Sequence, residues 1–556
     1  MAVLAGCGLI YEYLLSHYAA RILGAVESTI FAMIGIMIVS MGIGSFAAKL
    51  FKNPYTNFAW LELLVALLGL TSVLIIATLF AFANTLPQII ANTYGLPPDL
   101  NPEGGVFLFA EKFARISPYL MGFVLGFLIG MEIPLIARIR EQLYEKHLDH
   151  NAGTIYGADY IGAGIGAAIW VIFMLSLEIT TAAVFTASAN LLAGLVFYLR
   201  YHKKIKYSPA FLLSQLVLVA IALNVFTNGN TWDKQLEETL YKDKVIYSEH
   251  TKFQHFTITK RIMNPNAAPV YSLYINGRTQ FSSVDEQIYH EMLVHPAMLA
   301  SAKHNNILII GGGDGLALRE VLKWNPEKVT MLELDKTLVD FFKTEKFNDN
   351  SGTIINKALL ALNEHALSDK RVEIIYNDAF LSVDTLSRQQ KLFDTIIIDL
   401  PDPNHPDLNK LYSSRFYEKV KHLLTGDGAM VVQSTSPYHA QKAFLSIGKT
   451  VKNAGFKHVE QYHQNVPSFG EWGWTIATKN GFSALTRLKN DFETTTSLPV
   501  RTSWLTPELI LASFHFPLNY FADLKNIKVN TLNNHAIYQY HQEAWQKEQG
   551  IFQRAN

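Results

Sequence analysis

Acidic side chains stand at the ends of predicted strands in the C-terminal half of the chain. They are Asp314, Glu333, Asp378, Asp399 and Asp402. Parallel strands end at one edge of a sheet, so we expect these five carboxylates to line one crevice. A lone aspartate there is more often a helix cap or a turn residue, but five equivalent positions are hard to explain in that way. Crowded carboxylates repel one another, which predicts a cationic ligand.

A glycine turn, Gly311-Gly312-Gly313-Asp314-Gly315, follows the predicted strand at 307–310. Glycine lets a backbone approach a ligand closely, and Glu333, about 20 residues further on, is placed to bind ribose hydroxyls. The turn matches neither GxGxxG nor a P-loop, and the charge of Asp314 opposes a pyrophosphate. This favours a nucleoside that carries positive charge. The alternative is a tight turn without any ligand.

The elements that must position these residues alternate from residue 301 onward. Apolar runs at 307–310, 329–332, 372–376, 395–398 and 429–432 are separated by helical patterns. This alternation predicts an α/β Rossmann-like domain with a mainly parallel sheet and helices on both faces. Residues 230–300 are rich in β-branched and aromatic residues, with Asn276-Gly277 as a turn, and predict a small β-domain before it.

Composition excludes several classes of function. The 556 residues include 47 basic and 47 acidic ones, so no net charge favours nucleic acid. Cys7 is the single cysteine, which rules out a disulfide or a cysteine-based metal site within the chain. His290 and His295 resemble a zinc-protease helix, but their spacing of five places them on different faces, so we expect no metal.

The N-terminal half is strongly apolar and predicts a multi-pass α-helical membrane domain of about seven helices. The candidate spans lie near 3–22, 28–50, 59–84, 116–137, 156–177, 180–199 and 208–226. Glu12, Glu132 and Asp159 fall within or near these spans. Such acids either line a path for a cationic molecule or pair with Arg21, Arg138 or a tyrosine hydroxyl.

The basic residues near the spans predict a membrane orientation that conflicts with a cytoplasmic location of the soluble half. They gather around Lys49, Arg138 and Arg200, in loops that share one side of the membrane if there are seven spans. The positive-inside rule makes that side cytoplasmic and places the soluble half outside. The chemistry requires a cytoplasmic soluble half, and one missed or re-entrant span would remove the conflict.

The predicted domains follow from these patterns. Residues 1–228 form the membrane domain and 229–300 the small β-domain. Residues 301–485 form the Rossmann-like domain, and 486–556 a C-terminal extension.

Several segments of the soluble half resemble the polyamine aminopropyltransferases, the spermidine synthase family. They read NGRTQFSSVDEQIYHEMLVHP, ILIIGGGDGLALREV, LELD, NDAF, DLPDPNHP and LYSSRFY, and lie within about residues 245–480. The membrane half resembles a bacterial, membrane-fused subset of the family through GLIYE and GMEIPL. The resemblance implies transfer of an aminopropyl group from decarboxylated S-adenosylmethionine, a co-substrate, to putrescine, giving spermidine and methylthioadenosine. It implies a class I methyltransferase-like form of the Rossmann-like domain, and no cofactor.

The resemblance also implies roles for single residues. Those on the donor side are Gln254, Asp314, Glu333, Asp378, Ala379 and Pro406, with Glu333 at the ribose and the last three at the adenine. Those facing the amine are Tyr289, His290, Asp314, Asp399, Asp402 and Gln280. Asp399 is the catalytic proton acceptor. An alkyl amine resembles lysine, with a pKa of about 10, so a carboxylate must take its proton as the C–N bond forms.

Two departures leave the acceptor open. Leu400-Pro401 stand where enzymes that use putrescine usually have two serines, and the segment 467–474 resembles thermospermine-type synthases. The same chemistry on another amine, a methyltransferase that uses S-adenosylmethionine, and a polyamine sensor or exporter are the alternatives. The resemblance further implies a homodimer, contact with membrane lipid, and a cell inner membrane location with the catalytic domain in the cytoplasm.

Overall fold

The chain folds into two compact units, Met1–Lys242 and Asp243–Asn556. The computed structural model describes residues 1–23, 26–94, 104–144, 148–264, 266–348 and 354–548.

The first unit is helical throughout its described residues. Its helices are α1 (Ala2–Leu23), α2 (Val26–Ala47), α3 (Pro54–Thr93), α4 (Gly105–Gly130), α5 (Glu132–Tyr144), α6 (Leu148–Ile172), α7 (Ile179–Tyr201) and α8 (Ser208–Glu238). Six segments among the described residues are long and apolar enough to cross a membrane; α4 and α5 form one of them. Large apolar side chains point outward, such as Phe46, which is 71% exposed. A bilayer would cover such a surface.

The predicted count of about seven spans differs from the six that length and composition support. The predicted span at 3–22 is the helix α1, which lies outside the six and carries Glu12, His17 and Arg21. Omitting α1 leaves the orientation conflict in place. The basic residues from Arg200 onward precede α8, which is itself long enough to cross, so the positive-inside rule still places the second unit on the opposite side.

Strands of the second unit form two sheets. The strands are β1 (Lys244–His250), β2 (His255–Arg261), β3 (Val270–Ile275), β4 (Arg278–Ser282), β5 (Asn306–Gly311), β6 (Lys328–Glu333), β7 (Val372–Tyr376), β8 (Phe393–Asp399), β9 (Leu424–Gln433), β10 (His458–Val466) and β11 (Gly470–Thr478). The first sheet is β1-β2-β3-β4, and the second is β10-β11-β9-β8-β5-β6-β7. The second is parallel from β7 to β9 and ends in an antiparallel hairpin.

Helices cover both faces of the larger sheet. They are α9 (Glu286–Ala300), α10 (Leu316–Leu322), α11 (Lys336–Lys343), α12 (Lys357–Leu362), α13 (Ala379–Arg388), α14 (Ser414–Leu423), α15 (Gln441–Asn453), α16 (Ala484–Thr494), α17 (Pro507–Ala512) and α18 (Ala536–Glu548). Alternate residues of β5 show why: Ile307 packs into one core with α9 and α10, and Leu308 into another with α13 and α14. This is the Rossmann-like mixed sheet that the alternating runs predict.

The boundaries differ from the predicted ones in two places. Helix α8 continues to Glu238, through the predicted boundary after residue 228. The range 229–300, predicted as a small β-domain, holds the four antiparallel strands β1 to β4 between the end of α8 and the helix α9, with Asn276 and Gly277 at positive φ in the turn between β3 and β4. Phe256 and Leu273 of this sheet lie in the same core as α9 and β5, so the sheet shares a core with the larger one.

Candidate active site

The glycine turn brings the ends of β5 and β8 into contact. Gly311 and Gly312 have φ of 86° and 72°, values that residues with a side chain rarely adopt. A Cβ atom on Gly311 would lie 2.0 Å from the carbonyl oxygen of Asp399, and one on Gly312 would lie 3.3 Å from Oδ2 of Asp399. The Gly312 amide donates to that carbonyl at 3.1 Å. The turn therefore fixes the last residue of β8.

Tyr289 holds the carboxylate of Asp399 in place. Its hydroxyl donates to Oδ1 at 2.7 Å from within helix α9. Burial, together with the charge of Asp314, raises the pKa of Asp399 to about 6, while His290 and the Tyr289 hydrogen bond oppose that rise. Asp399 is thus a carboxylate at neutral pH whose affinity for a proton is increased, as a general base requires.

His290 is a buried cation beside these acids. Its Nδ1 lies 2.9 Å from Oε2 of Glu286, and Glu286 in turn accepts two hydrogen bonds from Arg319, at 2.8 and 3.0 Å. Burial disfavours the charge, but Glu286 outweighs it, and the pKa of His290 rises to about 9. Its charge interacts with both Asp314 and Asp399 and offsets part of their repulsion. His295 bonds a different carboxylate, that of Glu320.

Asp314 and Glu333 occupy the ends of β5 and β6. Oδ1 of Asp314 accepts from the Leu316 amide at 2.9 Å, and burial raises its pKa. Oε1 of Glu333 accepts from the Leu334 and Asp335 amides, at 2.8 and 3.2 Å. Burial nevertheless raises the pKa of Glu333 to about 7. Its other oxygen, Oε2, faces the glycine turn, since it would lie 3.0 Å from a Cβ atom on Gly313.

Gln254 donates a hydrogen bond to Asp335, an acid that the sequence analysis did not single out. Its Nε2 donates to Oδ2 of Asp335 at 3.0 Å, where Thr251 also donates at 2.7 Å. The other oxygen of Asp335 caps helix α11 through the Thr337 amide. Gln254 is therefore fixed next to Glu333.

Asp378 does not fit the prediction that five carboxylates line one crevice and bind a cationic ligand. Its Oδ1 caps helix α13 by accepting from Phe380 at 2.8 Å, and its Oδ2 is ion-paired with Lys410. The helix-cap explanation of a lone aspartate thus applies to this residue. Ala379 is the first residue of α13 and Pro406 begins the short 3₁₀ helix that carries Lys410; both are half-buried.

The residues around Asp402 come from segments that the pattern of strand-end acids does not predict. Its Oδ2 is 3.3 Å from Nε2 of His541 and 3.5 Å from Oγ1 of Thr435, while its buried Oδ1 has no hydrogen-bond partner among the described residues. The guanidinium of Arg278 interacts with its charge; burial lowers the pKa of Arg278 and Asp402 opposes that shift. Gln280 donates to the Arg278 carbonyl at 3.3 Å.

The structure therefore brings together four of the five predicted carboxylates. Asp314 interacts electrostatically with Asp399 and Glu333, and Asp402 joins them through Tyr289. Such a group can bind a cation and accept a proton from it.

The residues that sequence reasoning missed are Arg278, Glu286, Arg319, Asp335, Lys410 and His541. Arg278 stands inside the NGRTQ segment, so that segment offered a signal for it. His541 comes from α18, and neither spacing nor periodicity connects it to Asp402.

Comparisons with known proteins point to a single kind of relative. A family model described as the spermine/spermidine synthase domain matches residues 286–490. The polyamine aminopropyltransferase of Shewanella oneidensis is 55% identical over 551 residues, which cover 99% of this chain and 95% of that protein. Polyamine aminopropyltransferase 1 of Streptomyces coelicolor is 32% identical over 548 residues, covering 97% and 93%. Both similarities extend through the helical unit.

A solved structure described as spermidine synthase in complex with the transition state analogue AdoDATO is 26% identical. It aligns with 51% of this chain and 90% of its own, with a TM-score of 0.43.

Proposed function

The chain belongs to the polyamine aminopropyltransferase family. We propose that it catalyses transfer of an aminopropyl group from decarboxylated S-adenosylmethionine to putrescine, at the site formed by the strand-end acids. The observation that carries the proposal is the carboxylate of Asp399, held by Tyr289 and the glycine turn among three further acids. The products are spermidine and methylthioadenosine.

The nucleoside end of the site is the group around Glu333. Its free oxygen faces the glycine turn, where it accepts hydrogen bonds from ribose hydroxyls in this proposal. The hydrogen bond between Gln254 and Asp335 stabilises this end of the site. Ala379 and Pro406 line the adenine, while the ion pair with Lys410 makes Asp378 a weaker candidate for direct contact.

The reaction needs a deprotonated amine. Putrescine arrives as a dication, because alkyl amines have pKa values of about 10. Asp399 takes one proton as the nitrogen attacks the carbon bonded to sulfur; the C–N bond forms, the C–S bond breaks, and its electron pair leaves on the thioether. Asp314 and Asp402 orient the substrate amines, and Tyr289 positions Asp399. The cation of His290 balances this acidic group before substrate binds.

A product assay on the purified full chain tests the reaction. The chain is incubated with putrescine and either decarboxylated or ordinary S-adenosylmethionine, and the nucleoside products are separated by mass. We expect methylthioadenosine from the decarboxylated donor alone. S-adenosylhomocysteine from the ordinary donor would instead support a methyltransferase, and binding without either product would support a sensor or exporter.

The acceptor is tested in the same assay with a panel of diamines and triamines. Spermidine is the second candidate for the acceptor amine, because of Leu400-Pro401 and the segment 467–474. Its product would be spermine or thermospermine. Two of the three aromatic residues of that segment, Phe469 and Trp474, pack against Tyr289 beside Asp399. A higher kcat/KM with spermidine than with putrescine would replace the first assignment by the second.

We also propose that the protein spans the cell inner membrane, contacts lipid through its outward apolar side chains, and keeps its catalytic unit in the cytoplasm. The long apolar helices support the first part, and the cytosolic origin of the charged donor supports the last. Periplasmic-only and cytoplasmic-only reporters fused to the C-terminus would decide the side. The homodimer stays a prediction, to be tested by the mass of the purified particle.

A further inference from the structure

Asp402 lacks the backbone support that the neighbouring acids have. The carboxylates of Asp314 and Asp378 each accept a hydrogen bond from the amide two residues further on. Asp402 stands between two prolines, and the following one, Pro403, has no N–H to donate. The next amide, that of Asn404, donates to the backbone carbonyl of Asp402 at 2.6 Å. The carboxylate of Asp402 therefore depends on side chains from other segments.

Two side chains hold one oxygen of this carboxylate. Oδ2 lies 3.3 Å from Nε2 of His541 and 3.5 Å from Oγ1 of Thr435. An ionised carboxylate only accepts hydrogen bonds, so the imidazole donates through Nε2. The charge of Arg278 also acts on Asp402, but the buried Oδ1 has no hydrogen-bond partner among the described residues. One oxygen is thus fixed, and the second is left to accept from a ligand.

His541 is itself held firmly, because its helix α18 is attached to the backbone that carries the acid. Oδ1 of Asn530 accepts from the Ile537 amide in the first turn of α18, at 3.2 Å, and Nδ2 of Asn530 donates to the Tyr412 carbonyl at 3.1 Å. The Tyr412 hydroxyl donates to the carbonyl of Pro401 at 2.9 Å. His541 is 1% exposed. These contacts fix the imidazole relative to the loop after β8.

We propose that His541 is a positioning residue at the acceptor end of the site. It holds Oδ2 of Asp402, so that Oδ1 receives the ammonium group of the acceptor that does not react. This role rests on the proposed function, which places the acceptor amine among these acids. A carboxylate that is fixed in advance loses less conformational freedom when the ammonium binds, so the amine binds more tightly. The C-terminal extension thereby takes part in acceptor binding.

Steady-state rates of the full chain in detergent test the role of the imidazole. His541→Phe keeps a ring but removes the N–H, so we expect the KM for putrescine to rise about tenfold while the KM for the donor stays unchanged. His541→Gln places an amide N–H near the position of Nε2 and should restore most of the loss. Glu543→Gln is the matched control, because Glu543 lies on the same helix, is 48% exposed and pairs with Lys442. This control should leave both KM values unchanged.

A double-mutant cycle with Asp402→Asn tests whether His541 acts through Asp402. We expect His541→Phe to add little to the rise in KM that Asp402→Asn causes alone, because the imidazole then has no carboxylate to position. General damage to α18 would instead add its full effect. Thr435→Val removes the hydroxyl that also contacts Oδ2. It replaces His541→Phe if that variant does not elute as a single species, and it should raise the same KM.

Calorimetry separates this proposal from the preceding one, because it needs no turnover. Putrescine is titrated into the full chain saturated with methylthioadenosine, or spermidine if the product assay assigns that acceptor. No transfer by the unchanged protein would refute the enzymatic function, and the affinity for the amine would then replace KM as the measure of this role.

Four results would overturn the role of His541. The unchanged protein binds no amine, or His541→Phe keeps the KM and the affinity of the unchanged protein, or His541→Gln is as impaired as His541→Phe, or the effects of His541→Phe and Asp402→Asn add in full. The last two results would make His541 a packing residue of α18.

Discussion

Acids in the two units have opposite surroundings. Asp399, Glu333 and Asp314 each accept at least one hydrogen bond from a hydroxyl or a backbone amide. Glu62, buried more deeply, accepts none among the described residues. These three strand-end carboxylates are thus supported before any ligand binds, and that of Glu62 is not.

The difference follows from secondary structure. Where a parallel strand ends, the next turn exposes backbone amides that no ladder uses, and these solvate a carboxylate. A membrane helix uses its amides internally, so a buried acid there depends on side chains or ligands. Strand-end acids are therefore positioned in advance for chemistry, whereas Glu62 lacks such support from its own helix.

The largest expected effect tests that positioning at Asp399. We expect Asp399→Asn to lower kcat about a thousandfold, because asparagine keeps the size and the Tyr289 contact but cannot accept the proton of the amine. Release of methylthioadenosine measures the rate. Asp407→Asn is the control, since Asp407 stands eight positions later, is 81% exposed and forms an ion pair with His405 alone among the described residues. Activity of Asp399→Asn close to that of this control would remove Asp399 as the base.

Glu333 tests the nucleoside end. We expect Glu333→Gln to raise KM for the donor about 10- to 100-fold, the effect of losing a charge-assisted hydrogen bond of about 1.5–3 kcal/mol. KM for the amine should stay unchanged. Initial rates at varied concentrations of each substrate separate the two constants. A rise confined to the amine would move Glu333 to the other end of the site.

Local patterns predicted the larger sheet well and its supporting contacts poorly. Apolar runs and the glycine turn placed β5 to β9 and the acids at their ends, because strand and turn preferences are set by neighbouring residues. The Glu286–Arg319 pair beneath His290 joins α9 to α10, and His541 reaches Asp402 from α18. Such contacts depend on how distant segments pack, which periodicity does not encode. The ion pair between Lys410 and Asp378 was missed for the same reason.

The helical unit shows the same limit. Long apolar runs predicted its helices, including the segment that contains Glu62, but a single acid in such a run gave no sign that it would lack a partner. Only the structure shows that neither carboxylate oxygen of Glu62 has a hydrogen-bond partner among the described residues. The C-terminal extension was likewise assigned no function, although α18 supplies His541.

The acid limb of the pH profile tests the support given to Asp399. With a pKa of about 6, Asp399 becomes protonated as the pH falls, so kcat/KM should fall below pH 6 by about tenfold per unit. The Tyr289 hydrogen bond favours the charged form. Tyr289→Phe should therefore shift the midpoint to higher pH, by less than about one unit for a hydrogen bond of about 1 kcal/mol. A shift to lower pH would show that Tyr289 does not stabilise the carboxylate.

The smallest effect concerns the stability of the helical unit. Glu62→Met replaces an unpartnered acid by an apolar side chain of similar length, so it should raise the melting midpoint in the absence of ligand. A gain of about 1 kcal/mol corresponds to about 2–4 °C for a unit of this size. Intrinsic fluorescence of the full chain in detergent follows the transition. If Glu62→Met lowers the midpoint without ligand, Glu62 has a partner in the folded protein, and the contrast between the two kinds of buried acid fails.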